Sequence, residues 1–167
     1  MCDFDDFFRS QFPVMSGAAA LMVHDFDAGR DLAQETLIRL YQRWDRVASC
    51  DHARNLAYRI LINLVRSRLR KERYLTLTGR RPSNVAVGGL PDESAAVDMR
   101  ITLKMALQDL SPRQRTCLVL TDYLGLDVGT VARLVKVRPS TVSVHLSRAR
   151  KRIRERSNLG NDPFGEG

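Results

Sequence analysis

The sequence predicts an all-α fold of two small helical domains joined by a flexible linker. Apolar residues recur every three or four positions through most of the chain, which is the period of an amphipathic helix. No segment of comparable length alternates as a half-buried strand does. A stretch rich in Gly, Pro, Ser and Thr at residues 74–94 interrupts the pattern and marks the linker. The predicted domains are residues 1–73 and 95–156, followed by a polar tail at residues 157–167.

Helical segments fill the predicted first domain. Its first segment carries four phenylalanines at helical spacing, namely Phe4, Phe7, Phe8 and Phe12, and a mostly apolar second segment follows at residues 14–24. The third segment spans residues 28–44, and its inward stripe is Leu32, Leu37, Leu40, Tyr41 and Trp44. We interpret residues 45–52 as a loop because the period is lost there. The period returns at residues 53–73, with arginines predicted to face outward.

In the second domain, the helix starts and ends carry clear signals. After a predicted helix at residues 95–109, Ser111 and Gln114 have the spacing of a capping box, with proline between them at the first helical position. Gly125 is expected to end that helix. Asp127 can cap a short helix that runs to Val135.

Charge indicates the type of partner. The chain has 27 Lys and Arg against 19 Asp and Glu, a formal net charge of +8, which favours a polyanionic partner. The distribution is uneven, since acidic residues dominate residues 1–35 and basic residues dominate residues 54–73. The beginning of the chain therefore suits a basic protein surface, and the later parts suit nucleic acid.

Cysteine usage and hydropathy predict the compartment. Cys2, Cys50 and Cys117 are widely spaced and form neither a CxxC pair nor a cluster with metal-ligand spacing. We interpret Cys117 as a buried small apolar residue. The sequence contains no apolar run long enough to span a membrane and does not begin with a cationic secretory signal. These features predict a cytoplasmic protein without a metal, cofactor or membrane insertion.

The last helical segment has the pattern of a DNA-recognition helix. It begins with Pro139, Ser140 and Thr141, and its second half is a block of cations. Small polar groups at a helix start can reach base edges in a major groove, while cations further along hold phosphates. This segment predicts DNA binding.

Three strings in this order resemble the extracytoplasmic-function (ECF) sigma factors of bacterial RNA polymerase. The first is Asp31-Leu32-Ala33-Gln34-Glu35-Thr36, which resembles the family's polymerase-binding helix. The second runs from Ala57-Tyr58-Arg59-Ile60 to Arg68-Leu69-Arg70 and is similar to the helix that recognises and melts the minus-10 promoter element. The third starts at Leu110-Ser111-Pro112-Arg113-Gln114-Arg115 and continues through Val131–Leu134 to Thr141–Arg150. It resembles the minus-35 helix-turn-helix domain.

The resemblance implies three sets of contact residues. For core RNA polymerase, whose contact in the family is a coiled coil of the largest subunit, they are Asp31, Gln34, Glu35 and Arg39. For the minus-10 element they are Ser49, His52, Arg54, Asn55, Arg59, Asn63, Arg66 and Arg70. For the minus-35 element they are Arg138, Ser140, Thr141, Ser143, Val144, His145, Arg148, Lys151 and Arg152. The loop before the minus-10 helix is expected to hold a flipped base, for which it offers polar groups but no aromatic ring.

The function that this resemblance implies is promoter-specific transcription initiation with core RNA polymerase and promoter DNA as partners. The family also implies an anti-sigma protein as a regulator. We expect no enzyme activity, because the sequence offers no nucleophile–base pair and no phosphate-binding glycine loop. The alternative is a stand-alone LuxR-like helix-turn-helix regulator, a class that leaves Asp31–Thr36 and the basic helix at residues 53–73 unexplained.

Two departures from the family pattern bear on structure. Gly29-Arg30 precede Asp31, where the family more often has an Ala-Glu pair. Lys136 occupies the turn of the helix-turn-helix motif, where glycine is usual, and we expect it to adopt a positive φ. Neither change is expected to alter the fold.

Overall fold

The computed structural model describes residues 3–79 and 105–159. It confirms an all-α fold, and within those two ranges the chain contains no β-strand. The chain divides into two compact units, Met1–Gly89 and Leu90–Gly167. Most of the predicted linker and residues 95–104 of the next predicted helix lie outside the described residues. The part of that helix that is described is helical at residues 105–108.

Three helices build the first unit: α1 (Phe4–Val23), α2 (Phe26–Tyr41) and α3 (Cys50–Leu77), with a short 3₁₀ turn at Trp44–Arg46. The two segments predicted before residue 24 are one helix, which passes through an exposed Pro13. His24 ends α1 in the left-handed conformation at φ 60°. The next residue, Asp25, then caps α2 by accepting a hydrogen bond from the Ala28 N–H at 3.0 Å.

The core of this unit lies where the three helices meet. Small residues let α1 and α2 approach closely, since Gly29 of α2 lies directly against Ala20 of α1. Larger buried side chains fill the space towards α3, and those with almost no exposure are Met15, Met22, Leu37, Leu40, Leu61, Ile62 and Val65. Arg68 of α3 also bridges outward to Glu72 at 2.7 Å and to Asp25 at 3.6 Å. The cap of α2 is therefore tied to α3.

The structure corrects several sequence-based boundaries. Helix α3 begins at Cys50, so the loop predicted at residues 45–52 is shorter, and α3 continues to Leu77 beyond the predicted end at residue 73. Ser49 makes the earlier start favourable because its hydroxyl accepts the His52 N–H at 3.2 Å. Cys50 is disulfide-bonded, which the spacing of the cysteines did not predict. Cys117 is buried, as predicted.

The second unit contains α4 (Pro112–Leu118), α5 (Val128–Val135) and α6 (Pro139–Leu159), with a π-helical turn at Val119–Tyr123 directly after α4. The predicted capping box is confirmed, because the Ser111 hydroxyl accepts the Gln114 N–H and the Gln114 side chain accepts the Ser111 N–H. Gly125 adopts φ +69° after the π turn, and Asp127 caps α5, both as predicted. Helix α6 packs on α4 and α5.

Lys136 ends α5 with φ 56° and ψ 48°, as predicted from its place in the turn. An L-residue with a Cβ atom pays roughly 1 kcal/mol in this conformation, and glycine does not. We therefore expect Lys136→Gly to raise the free energy of unfolding of the second unit by about 0.5–1 kcal/mol. Urea denaturation of the full chain measures the change. Lys136→Ala is the matched control, since it removes the same charge but keeps the Cβ atom, and an equal gain in both variants would contradict the explanation.

Candidate nucleic-acid and protein interfaces

Helix α2 presents a polar face on the side opposite the core. Leu32, Leu37 and Leu40 point into the core, while the four residues predicted to contact polymerase are all exposed. The structure therefore brings Asp31, Gln34, Glu35 and Arg39 to the accessible surface of one helix. Arg39 pairs with Glu35 at 2.5 Å, which lowers the net negative charge of this face. Asp31 makes no ion pair with the rest of residues 3–79, so it is the carboxylate that is most available to a basic partner.

Two apolar residues on the same face were missed by sequence reasoning. Ile38 is 52% exposed and Tyr41 is 61% exposed. The inward orientation predicted for Tyr41 is therefore wrong. Ile38 follows Gln34 by four residues and Asp31 by seven, a spacing that places it on their side of the helix. That spacing could have identified Ile38 from the sequence.

A basic stripe runs along the outside of α3. Arg59, Asn63 and Arg70 are exposed, and their spacing of four and seven residues places them on one side of the helix. Arg66 shares this side but is only half-exposed. Asn55 and His52 extend the stripe towards the start of the helix, and both are exposed. The structure thus brings together six of the eight residues predicted for the minus-10 element.

The other two residues of that set, Ser49 and Arg54, have different surroundings. The Ser49 hydroxyl caps α3, and the His52 ring at the same end accepts the Ala48 N–H at 3.2 Å. Arg54 pairs with Asp51 at 3.2 Å and lines a cleft that it shares with the first turns of α1. It also lies near buried Tyr58, whose pKa is raised by burial and lowered in part by this arginine. Arg54 therefore lies apart from the stripe.

The helix-turn-helix geometry of the second unit is formed by α5, a tight turn and α6. The Asp127 carboxylate accepts both the backbone N–H and the hydroxyl of Thr130, at 2.9 and 2.6 Å. The left-handed Lys136 reverses the chain, and the Val137 N–H donates to the Ala132 carbonyl at 3.1 Å. Helix α6 then starts with an exposed Pro139. This arrangement leaves the first turns of α6 accessible, as a major-groove helix requires.

The predicted minus-35 residues divide between one outer face and two flanks of α6. Val142, Leu146 and Ala149 are buried, so the opposite side of the helix is its outer face. That outer face carries Ser140, Val144, Arg148 and Lys151, which are exposed. Ser143 lies on one flank, where its hydroxyl donates to the Pro139 carbonyl at 3.2 Å. Thr141, His145 and Arg152 lie on the other flank, and Arg138 is exposed in the turn before the helix.

Several arginines of α6 bind their own domain. Arg152 donates to the Asp109 carbonyl oxygen at 2.8 Å, and Arg156 forms a short ion pair with the Asp109 carboxylate. On the other flank, Arg150 pairs with Asp122 at 2.8 Å, and this hydrogen bond raises the pKa of the guanidinium. The phosphate contact predicted for Arg152 is therefore not favoured by its geometry. Arg148 and Lys151 remain on the outer face.

His145 is half-buried beside other cations. Its pKa is lowered, first by burial and then by repulsion from Arg113 and Arg148, so the imidazole is neutral at neutral pH. Nδ1 is buried and has no hydrogen-bond partner among the described residues. The ring therefore packs against the domain with one nitrogen and leaves only the other for a DNA contact.

The lowered pKa of His145 predicts how stability depends on pH. Below its ordinary pKa of 6.5, the unfolded chain binds the proton more readily than the folded chain. The free energy of unfolding therefore falls as the pH decreases through and below that value, and this histidine contributes no pH dependence well above it. We expect His145→Gln to flatten the acid side of the stability curve, where the pH falls through and below the ordinary pKa of 6.5. Urea denaturation at each pH gives one stability curve for the parent chain and one for the variant. The difference between these two curves reports His145 alone, because His24 and His52 are present in both proteins. Parallel curves would contradict the lowered pKa of His145.

Comparison with known proteins identifies both units. The family described as sigma-70 region 2 matches residues 8–74, and the family described as sigma-70, region 4 matches residues 100–153. The first match includes all of α2 and most of α3, the helices that carry the two segments unexplained by the LuxR-like alternative. Nothing in the comparisons supports that alternative.

Individual relatives agree with the family matches along nearly the whole chain. The RNA polymerase sigma-E factor of Streptomyces avermitilis is 28% identical over 92% of this chain and 84% of its own length. The ECF RNA polymerase sigma factor SigM of Mycobacterium tuberculosis is 26% identical over 90% of this chain and 74% of its own length. Both alignments therefore include the two units and the segment between them.

Solved structures show the same fold. The sigma factor RpoE from Bartonella quintana, in complex with the anti-sigma factor NepR, matches with a TM-score of 0.75 and 26% identity, covering 96% of this chain and 98% of that one. CnrH, in complex with the cytosolic domain of CnrY, matches with a TM-score of 0.63 and 19% identity, over 95% and 88% of the two chains, and supports the fold alone. None of the described helices is long and apolar enough to cross a membrane. The chain belongs to the extracytoplasmic-function class of the sigma-70 family, whose members direct transcription initiation by RNA polymerase.

Proposed function

We propose that this chain binds core RNA polymerase through the outer face of α2 and reads promoter DNA with α3 and α6. The observation that carries this proposal is the separation of charge within the first unit. Helix α2 exposes Asp31 and Glu35, while α3 exposes a stripe of arginines. An acidic face suits a basic protein surface, and a basic stripe suits the DNA backbone, so one small unit can hold both partners at once.

The DNA contacts follow from position on each helix. On α3, Arg59 and Arg70 lie where they can hold phosphates on either side of Asn63, whose amide can hydrogen-bond a base edge. On α6, Ser140 and Val144 occupy the exposed first turns, and Arg148 and Lys151 follow towards the backbone. Base readout at the minus-35 element is therefore assigned to the first two turns of α6. We place this activity in the cytoplasm, where polymerase and chromosome meet.

An anti-sigma protein is part of the proposal. The sigma factor RpoE, which is 26% identical to this chain over nearly its whole length, was solved with its anti-sigma factor NepR. An inhibitor of this kind would act by covering the α2 face or the α6 face, since both are exposed in the free chain. Affinity capture from the native cell would detect such a protein as a partner that competes with core polymerase.

The polymerase-binding face is tested by a double substitution. Asp31→Ala with Glu35→Ala removes two exposed carboxylates from a helix whose core side is unchanged. We expect the affinity for core polymerase to fall by about tenfold or more, because charged contacts in a protein interface are each worth on the order of 1 kcal/mol or more. Binding of the full chain to DNA without polymerase should stay the same.

The control removes two acidic residues from elsewhere in the same unit. Asp45 and Asp51 are exposed and lie outside α2. The variant Asp45→Ala with Asp51→Ala has the same net charge as the test variant, and we expect it to bind core polymerase as the parent chain does. An equal loss of polymerase affinity in both double variants would mean that only net charge matters. Unchanged polymerase binding by Asp31→Ala with Glu35→Ala would show that the polymerase-binding face lies elsewhere on the chain.

A further inference from the structure

Aromatic rings form a continuous ladder on the surface of the first unit. The Tyr41 ring contacts the Phe4 ring at 4.7 Å, Phe4 contacts Phe8 at 6.2 Å, and Phe8 stacks on Phe12 at 5.2 Å with the planes 7° apart. The three phenylalanines are spaced by four residues, so they share one side of α1. The ladder thus starts at the end of α2 and runs along α1.

Core packing explains only part of this cluster. Phe7 is 4% exposed and packs on Trp44, with the ring centroids 5.6 Å apart, so these two rings help to close the unit. By contrast, Phe8 and Tyr41 are exposed and Phe4 and Phe12 are half-exposed. Large rings that remain accessible side by side mark an interaction surface more often than a core.

The ladder is continuous with the acidic face of α2. Tyr41 follows Gln34 by seven residues and Ile38 by three, so it lies on the side of the helix that carries Asp31, Gln34 and Ile38. It also contacts Phe4, the first rung on α1. Tyr41 therefore joins the apolar ladder to the polar face, and the two form one surface.

We propose that the exposed rungs Phe8 and Tyr41, with Ile38, form the apolar centre of the core-polymerase interface and extend it from α2 onto α1. This inference rests on the proposed function of the α2 face. Protein interfaces bury aromatic anchors at their centre and surround them with polar residues. Here Asp31, Gln34 and Glu35 supply the polar rim. Asp5, which is exposed next to Phe4 at the start of α1, adds negative charge near the first rung of the ladder.

The same surface fits a basic polymerase segment for a second reason. Aromatic faces attract lysine and arginine side chains, and the stems of those side chains cover apolar area. An acidic rim around aromatic rings therefore complements a helix that presents basic residues over an apolar ridge. A nucleic acid is a poorer fit, because the acidic rim would repel its phosphates.

The test uses Phe8→Ala and Tyr41→Ala in the full chain, with binding to purified core polymerase measured by a fluorescent label and no DNA present. We expect each variant to bind five- to twentyfold more weakly, and the pair to lose more than either alone. Tyr74→Ala is the matched control, because Tyr74 is 62% exposed, as Tyr41 is 61% exposed, but lies on α3. It should leave polymerase binding unchanged. Phe8→Tyr keeps the ring and should bind as the parent chain does.

The outcomes separate this inference from the proposed function. If Asp31→Ala with Glu35→Ala weakens binding but Phe8→Ala and Tyr41→Ala do not, the ladder is no part of the interface and the inference is overturned while the α2 face stands. If the ladder variants weaken binding and the acidic pair does not, the polymerase surface is centred on the aromatic rings, and the role proposed for the carboxylates of α2 fails instead. Thermal melting of each variant guards against unfolding. Phe8→Tyr keeps an aromatic ring, so it should not lose affinity if the ring makes the contact. If Phe8→Ala and Phe8→Tyr lose affinity equally, and both melt at the same temperature as the parent chain, this result also contradicts the inference.

Discussion

Replacing Gly29 by alanine is expected to destabilise the first helical unit by about 3 kcal/mol. A Cβ atom built on Gly29 would lie 2.4 Å from the backbone nitrogen and 2.5 Å from the Cα atom of Ala20. Both distances are far inside van der Waals contact. The atoms that it meets belong to the backbone of α1, so no rotation of a side chain can relieve the overlap, and α1 and α2 must move apart.

The direction of this effect is opposite to that expected for an average helix. Within a helix, glycine to alanine normally stabilises by roughly 1 kcal/mol, because alanine loses less backbone entropy on folding. At Gly29 the overlap outweighs that gain, since overpacking of a closed core typically costs roughly 1–3 kcal/mol and occasionally more. Separation of α1 from α2 would also shift the α2 face, so polymerase binding should weaken together with stability.

Urea denaturation followed by circular dichroism measures the change in stability, and Gly129→Ala in α5 is the control. A Cβ atom at Gly129 meets only side chains, the Asp127 carboxylate at 3.0 Å and the Arg133 guanidinium at 3.8 Å. We expect that variant to change stability by less than about 1 kcal/mol. A stabilised Gly29→Ala variant would show that α1 and α2 are not packed this closely in solution.

The fold was predictable from the sequence because helix periodicity and capping are local signals. Ser111, Gly125 and Asp127 act where the sequence predicts, since a cap depends on residues within one helical turn. The positive φ of Lys136 was expected from the family resemblance, because glycine is usual at that turn of the helix-turn-helix motif. The start of α3 was missed because the capping residue, Ser49, lies four residues before the apolar pattern resumes at Ala53.

Contacts between distant residues set the limit of sequence reasoning. Gly29 stands where the family more often has alanine, so from the sequence it is only a departure from the pattern. The structure gives the reason, because the backbone of Ala20 leaves no room for a Cβ atom at this position. Tyr41 was assigned to the core because it continues an apolar pattern, whereas it lies at the edge of the helix packing and is exposed. Arg152 and Arg150 belong to a basic run, but their acidic or carbonyl partners are 28 to 43 residues away in sequence.

The basic run of α6 leads to the second large effect. We expect Arg148→Ala with Lys151→Ala to weaken binding to DNA of any sequence and to lower the slope of log affinity against log salt by about 2, because each cation neutralises about one phosphate. Arg148 and Lys151 are exposed on the outer face of α6. Lys151 has only a long contact of 3.8 Å to Glu155, which leaves it available to a phosphate.

Arg150→Ala is the matched variant on the same helix. Arg150 pairs with Asp122 at 2.8 Å on the flank of α6, so its charge is already balanced within the domain. We expect this substitution to change the salt slope little and to reduce stability by less than about 1 kcal/mol, the usual range for an exposed ion pair. Arg150→Ala removes one positive charge, whereas the test variant removes two. The single variant Arg148→Ala also removes one, so it can be compared with Arg150→Ala at equal net charge.

Titration of labelled promoter DNA with holoenzyme at several salt concentrations measures the slopes. Because two phosphate contacts are lost, the deficit of the double variant should shrink by roughly tenfold between about 50 and 200 mM salt. The ratio of the DNA affinities of Arg150→Ala and the parent chain should stay nearly constant over the same range of salt. If Arg150→Ala and Arg148→Ala lower the slope equally, DNA must pull Arg150 away from Asp122, and the flank of α6 belongs to the DNA interface. If only Arg148→Ala lowers it, the ion pairs on the flanks orient the recognition helix and its outer face alone holds the phosphates.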